Sequence, residues 1–259
     1  MLVPRSYFLA LALLTLVLLS GALKAQDLVI RNARVFDGAS ADLSAPQDIA
    51  ISNGLISEIG RDLDVAETTE EIDAQSRVVM PGLINSHAHI MMQMPVGQAL
   101  TTDAFYWAYV ATKASKTMLD SGFTTIRDMS GNTFSLKQAI DQGVVAGPRI
   151  YPSGAMISQT AGHSDHRTAA NNSRLLDPTS RSHFEELGMT MVADGRPEVL
   201  QAARENLRRG ATQIKIAVGG GISSYGDPLD VTQYTDDEVR AAVESAEDWG
   251  TYVAAHVYN

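Results

Sequence analysis

The stretch "PGLINSHAHI", residues 81–90, sets two of the chain's six histidines one residue apart at the end of a short apolar run. On a β-strand successive side chains point to opposite faces, so Asn85, His87 and His89 share one face. Two neighbouring imidazoles repel when both are protonated. They sit together comfortably as neutral rings that share a cation. A strand delivering a pair of metal-capable groups at its C-terminal end is the first clue to the architecture.

Downstream, strands and helices alternate. Residues 102–120 place bulky apolar residues on one side and predict a helix. "FTTIRDM" (123–129) predicts a strand, "FSLKQAIDQG" (134–143) a helix closed by Gly143, and "PRIYPSG" (148–154) a strand. Residues 155–196 form a long segment rich in Ser, Asn, Asp, His and Gly. "PEVLQAARENLRRG" (197–210) then predicts a helix, with Pro197 near its start and Gly210 after its end. "TQIKIAV" (212–218) is a strand. "TDDEVRAAVESAEDWG" (235–250) is a helix with Thr235 as N-cap and Glu238 three residues on, and "TYVAAHV" (251–257) is the last strand. Strands alternating with helices imply βα units on a parallel sheet, an α/β fold. Residues 81–259 therefore read as a partial TIM-type (β/α) barrel of about five strands.

Upstream, residues 26–80 read as short strands and turns, a small β-sandwich domain. "DIAISNGLISEIG" carries two apolar runs around Asn53-Gly54, a strong hairpin signal. Residues 1–25 have the layout of a secretory signal peptide: one positive charge at Arg5, an apolar run "FLALALLTLVLL" (8–19), and a small residue, Ala25, before polar Gln26-Asp27. A membrane span needs ~20 apolar residues, and this run is shorter. The expectation is cleavage, no stable membrane anchor afterwards, and a periplasmic or secreted product.

Hydrophobic content of 45% with 19% charged residues suits a globular chain. A net charge of −10 argues against nucleic acid and anionic membrane surfaces as partners. With no cysteine there is no disulfide and no zinc–thiolate site, so a metal must be held by His, Asp, Glu or a modified Lys.

Three of the predicted strands carry unusual groups. The first ends in His87 and His89, the fourth holds Lys215 between Ile214 and Ile216, and the fifth ends in His256. Alternation groups Gln213 with Lys215 and Ala217, and Tyr252 with Ala254 and His256. In a βα barrel the C-terminal strand ends line the active site, and there these faces would converge. Singly, each has an ordinary reading: a strand-end His as a satisfied polar group, or a Lys that snorkels to water. Their joint order along the chain favours a site.

Together "VVMPGLINSHAHI" (78–90), "TQIKIAVGGGI" (212–222) and "TYVAAHVYN" (251–259) resemble the amidohydrolase superfamily of metal-dependent hydrolases. The nearest likeness is to the branch loosely called imidazolonepropionase-like, which holds prolidase-like dipeptidases and carboxypeptidases that release basic residues. The likeness runs from residue 27 to 259. It implies two divalent metal ions, zinc first and manganese or cobalt as alternatives. His87 and His89 would bind the more buried metal and His256 the second. Lys215, carboxylated by CO2, would bridge them. Burial among isoleucines lowers a Lys pKa from ~10.4 and supplies the neutral amine that a carbamate needs. The implied reaction is hydrolysis of a C–N bond in a dipeptide or N-acyl amino acid by a metal-bridging hydroxide.

The resemblance also points to His163, in "SQTAGHSDHR" with His166, near the substrate carbonyl. Tyr258 shares the face of His256 and is placed to bind a substrate α-carboxylate. Asp128 reads as a structural acceptor, "VGGGIS" (218–223) as backbone passing close to the site rather than a phosphate loop, and "MMQM" (91–94) as apolar packing at the site mouth.

The family pattern continues beyond five strands. A complete barrel has eight, typically in ~250 residues. The resemblance places another His ligand on a sixth strand and a metal-binding general-base Asp on an eighth, so no catalytic base is assigned here. The first and fifth strands would be unpaired edges. The chain is expected to be the N-terminal part of a longer protein, with residues 26–259 alone folding poorly and showing no turnover. Two other readings stand beside the hydrolase: a mononuclear deaminase or cyclic-amide hydrolase on the same scaffold, and a non-catalytic binding protein. A bridging Lys215 argues against the first, and retention of all four ligands against the second. A homo-oligomer remains open.

Overall fold

The computed structural model describes residues 27–258, so the expected signal peptide lies outside the described residues. Among the described residues, no helix is long and apolar enough to cross a membrane. The chain divides into two compact units, the first ending at Pro81 and the second starting at Gly82.

The first unit is built on β1 (Leu28–Val35), with β2 (Gln47–Ser52), β3 (Leu55–Gly60), β4 (Glu70–Asp73) and β5 (Val78–Val79) around it. β2 pairs antiparallel with β1 and with β3, while β4 and β5 pair parallel with β1. The β2–β3 turn is Asn53-Gly54, with φ of 52° and 73°, as a two-residue primed turn demands. Arg31 ties three strands together. Its guanidinium donates to Asp48 at 2.7 Å, to Glu71 at 2.8 Å and to the Leu63 carbonyl at 2.7 Å.

These strands follow the order β3-β2-β1-β4, with β5 pairing the far half of β1. The register of β1 shifts between Ile30 and Ala33, with Asn32 at φ 53°. The first half of the strand serves β2 and β4, and the second half serves β5. A single strand thus does the work of two sheets. Leu55, Ile56, Ile59 and Ile72 stay at least 45% exposed, with no second sheet over them among the described residues.

The second unit runs β6 (Leu83–Ala88), α1 (Val96–Ala99), α2 (Ala104–Asp120), β7 (Phe123–Asp128), α3 (Phe134–Asp141), β8 (Arg149–Pro152), β9 (Met156–Ser158), α4 (His183–Glu186), β10 (Thr190–Val192), α5 (Gly195–Arg208), β11 (Ile214–Ala217), α6 (Asp236–Asp248) and β12 (Val253–His256). Every pairing between these strands is parallel. The strand orders are β6-β7-β8 and β10-β9-β11-β12, a partial barrel in two pieces.

The break between the pieces falls at the end of the expected third strand. Gly154 has φ of 72°, so the extended run "PRIYPSG" ends there and restarts as β9. The Asn206 carboxamide, from α5, bonds both backbone groups of Ala155 (2.8 and 3.1 Å), and a Cβ on Gly154 would come within 2.4 Å of its Oδ1. The Thr212 N–H donates to the Pro152 carbonyl at 2.8 Å and stitches the start of β11 to the end of β8. β9, β10 and α4 all lie in the segment 155–196, which carries no strand or helix in the sequence reading. Strands of three residues are too short to show a period.

Two apolar clusters hold this unit. α5 and α6 pack Val199, Ala203, Leu207, Ala241, Ala242 and Ala246 against Ile157, Ile214 and Ile216. The other joins Ala88, Ile90, Trp107, Ala111, Ile126, Ile150 and Phe184. α6 starts as its sequence predicts: the Glu238 carboxylate accepts from the Thr235 backbone N–H at 2.8 Å and hydroxyl at 2.9 Å, and from Gly195 N–H at 2.7 Å.

Candidate active site

On β11, Ile214 and Ile216 enter the cluster under the helices, so Lys215 points to the opposite face. Its side chain is nonetheless buried, with the residue 2% exposed. On β12, Ala254 lies opposite Lys215 and His256 opposite Ala217 in the pairing register, so His256 and Lys215 are diagonal neighbours on one face. His87, on β6, and His89, just past its end, have ring centroids 5.1 Å apart. All four line one cavity of about 330 Å3, together with His163, His166 and Ser223. The opposite wall is apolar: Met92, Met94, Val96, Trp107, Met156 and Phe184. Met92 and Met94 therefore sit where the sequence places them.

The electrostatics favour neutral imidazoles. Burial pushes His89 down to about 4, helped by the cations His87 and Lys215 would carry. Burial likewise lowers His87, with Lys215 and Arg127 adding to it. Burial also lowers His256, with His163 adding to it and the Gly220 carbonyl opposing. His166 is pushed down to about 4, chiefly by burial against its surroundings, and its ring packs 4.1 Å from Phe184. Neutral rings keep a lone pair for a ligand. Burial, with Arg127 nearby, lowers the Lys215 amine to about 8.

Two buried groups at this site are left over. His89 Nδ1 has no hydrogen-bond partner among the described residues. Lys215 makes no ion pair among them either. Buried polar groups are costly when unpaired. A cation on His89 and a carbamate on Lys215 would satisfy both, so the donor set fits a divalent metal. No three His, Asp or Glu side chains among the described residues form a complete metal site unaided. A carboxylated Lys215 would add an anionic donor beside the three histidines.

His163, in the loop after β9, stacks face to face on His256, with centroids 3.7 Å apart and planes 1° from parallel. Its Nδ1 lies 2.9 Å from Asp227, whose side chain is 0% exposed. His256 Nε2 lies 3.1 Å from the Gly220 carbonyl. Tyr258 is edge-on to the His256 ring at 5.1 Å, 59% exposed, and does not line the cavity. Asp128 is fully buried outside the lining; its Oδ1 accepts from Ile90 N–H at 2.8 Å and its Oδ2 from Thr133 at 3.3 Å. It anchors the backbone just after His89.

The glycine run works by close approach, since none of its glycines has positive φ. A Cβ on Gly220 would meet the Pro228 carbonyl at 1.7 Å, and one on Gly221 would meet His163 Nδ1 at 1.9 Å. Sequence reasoning did not reach Asp227, Gln233, Trp107 or Phe184. The Asp227-Pro228 turn has no periodic signal, and the others look like ordinary polar-loop and core residues.

Residues 78–259 match the model of the Amidohydrolase family. The chain belongs to the amidohydrolase family. Ochratoxinase of Aspergillus niger is 29% identical to this amidohydrolase over 231 residues, 81% of this chain and 46% of the relative. Among solved structures, a prolidase complexed with N-methylphosphonate-L-proline superposes with a TM-score of 0.80 at 36% identity, covering 90% of this chain and 56% of the other. A Xaa-Pro dipeptidase with methionine bound in its active site gives 0.73 at 31% identity, covering 89% and 56%. This amidohydrolase chain spans about half the length of the relatives it matches. It is a hydrolase-family chain whose relatives act on peptide and amide bonds.

Proposed function

We propose that this chain carries part of the site of a metal-dependent hydrolase that cleaves a C–N bond beside a free carboxylate, in a dipeptide or N-acyl amino acid. The observation that carries the reading is Lys215: 2% exposed, unpaired with any carboxylate among the described residues, and sharing one cavity with His87, His89 and His256. Two divalent cations, zinc by donor chemistry, would be held by His87, His89, His256 and a carboxylated Lys215, which line one cavity. When bound, such cations polarise a scissile carbonyl and lower the pKa of water.

The chain's own residues supply the rest. The neutral His87, His89 and His256 offer lone pairs. The lowered amine of Lys215 would form its N–C bond to CO2 and release an N–H proton to solvent, leaving the carbamate. Met92, Met94, Trp107, Met156 and Phe184 exclude water and take an apolar part of the substrate. His163 faces the same space for a polar contact to the amide. The similarity to a prolidase and to a Xaa-Pro dipeptidase supports the peptide class. Relatives named dihydroorotase keep cyclic-amide hydrolysis as a second reading. The buried, unpaired Lys215 favours the two-metal form. Export of the chain, from the apolar run at residues 8–19, belongs to the same proposal.

The test is metal and carbamate content. The full chain, equilibrated with zinc and 13C-bicarbonate, should bind zinc stoichiometrically and show one carbamate 13C resonance. Lys215→Met should remove the resonance, and hydrolysis of Xaa-Pro dipeptides and N-acyl amino acids is assayed in parallel. A chain that takes up neither zinc nor 13CO2 sinks the reading.

A further inference from the structure

We propose that Asp227 is a positioning residue for His163. Its carboxylate, oriented by Gln233, fixes the imidazole proton on Nδ1 and presents Nε2 to the cavity as a hydrogen-bond acceptor.

A chain of donors and acceptors joins these groups, and its first link is beyond choice. The backbone N–H of His163 can only donate, and it lies 3.0 Å from the Gln233 side chain. The Gln233 oxygen must therefore face it. That leaves the Gln233 amide nitrogen facing Asp227 Oδ1, at 2.6 Å. The other carboxylate oxygen, Oδ2, is 2.9 Å from His163 Nδ1. A carboxylate only accepts, so Nδ1 must carry the proton. In the neutral ring Nε2 then holds a lone pair. The Ser223 hydroxyl lies 3.4 Å from it.

The ring has no room to escape this arrangement. His256 covers one side at 3.7 Å, and the backbone of Gly221 passes where even a Cβ would overlap Nδ1. A ring flip that exchanged Nδ1 for a carbon would leave a buried carboxylate with one donor fewer, which is costly. Asp227 does not line the cavity. It acts only through His163. Its bearing on hydrolysis rests on the function proposed above, where His163 faces the substrate space. The tautomer itself does not depend on that function.

The test is the imidazole 15N spectrum of the full chain at alkaline pH, with His163 assigned by the signal lost in His163→Asn. Wild type should show Nδ1 protonated and Nε2 bare. Asp227→Asn should invert this. The Asn oxygen must face the Gln233 amide nitrogen, so its own NH2 faces Nδ1 and drives the proton to Nε2. The double variant Asp227→Asn/Gln233→Glu reverses every polarity once more and should restore the proton to Nδ1. A wild-type ring protonated on Nε2, or an Asp227→Asn spectrum unchanged from wild type, overturns the proposal. If Asp227→Asn does not fold, the wild-type and double-variant spectra decide. The readout needs no turnover. Tautomers as stated in a chain without zinc or hydrolysis would sink the proposed function and leave the positioning role standing.

Discussion

Gly221 and His163 approach so closely that a Cβ on the glycine would lie 1.9 Å from the histidine Nδ1. A methyl group cannot share that space with a ring already pressed against His256. Gly221→Ala should push the imidazole off Asp227 and lower stability by about 1–3 kcal/mol, the usual range for overpacking. Gly97→Ala is the control, since nothing lies within 4 Å of its Cβ position. Denaturant unfolding should separate the two. Equal stabilities would mean that the loop moves freely away from His163.

Lys215 reaches into the histidine-lined cavity, where a methionine would keep the length of the side chain without its amine. Lys215→Met removes a buried amine with no carboxylate partner among the described residues. Without metal, the variant should be as stable as wild type or stabler by about 1–2 kcal/mol. With zinc and bicarbonate the order should reverse, because only wild type gains the stability that ligand binding confers. Thermal unfolding under the two conditions checks it. A Lys215→Met chain that gains as much from zinc as wild type would remove Lys215 from the ligand set.

The residues that sequence alone made legible are those whose meaning depends on local period. Lys215 between Ile214 and Ile216 announces a two-sided strand, and Asn53-Gly54 a tight hairpin. Thr235 with Glu238 announces a helix start. His87 and His89 share a face by simple alternation and do meet in one cavity. The same rule did not bring Tyr258 into the cavity lining, because β12 ends at His256 and alternation ends with the strand. The His163–Asp227 contact joins residues 64 apart through a loop that passes over three glycines, and no local pattern encodes it. The break at Gly154 was hidden because one glycine in an extended run reads equally as a turn or a strand residue. That β1 pairs with β4 on one half and β5 on the other depends on a register shift at Asn32, which no local pattern encodes.

Asp128 gives a pH dependence with a defined sign. Burial pushes its carboxyl up to about 8, against the opposing hydrogen bonds from Ile90, Thr133 and Ser130. An unfolded chain ionises it near ~3.9. Between these values the folded state holds a proton that the unfolded state has lost, so stability falls as pH rises through about 4 to 8 and levels off above. One proton sets a limit of about 1.4 kcal/mol per pH unit. Asp128→Asn mimics the protonated acid. It should remove this slope and be the stabler protein at pH 8 and above. Urea unfolding of both proteins from pH 5 to 9 measures the difference, and parallel profiles would show that Asp128 is ionised in the fold.

Trp107 is the partition between two spaces. Its indole is 1% exposed and meets Phe184 edge-on at 5.3 Å. One side lines the site cavity, and the other lines an apolar pocket of about 350 Å3 with Leu136, Val145 and Met189. Trp107→Ala should merge the two and cost about 3–5 kcal/mol, the range for deleting a buried aromatic ring. Trp107→Phe keeps most of the partition. It also removes an indole N–H that is buried without a partner among the described residues. An unpaired buried donor costs about 1–3 kcal/mol, which offsets much of the packing lost with the smaller ring. The Phe variant should therefore stay within about 1 kcal/mol of wild type in denaturant unfolding. If it lost as much as the Ala variant, the indole N–H would have to be making a hydrogen bond, and the apolar wall of the site would need a polar group at that point.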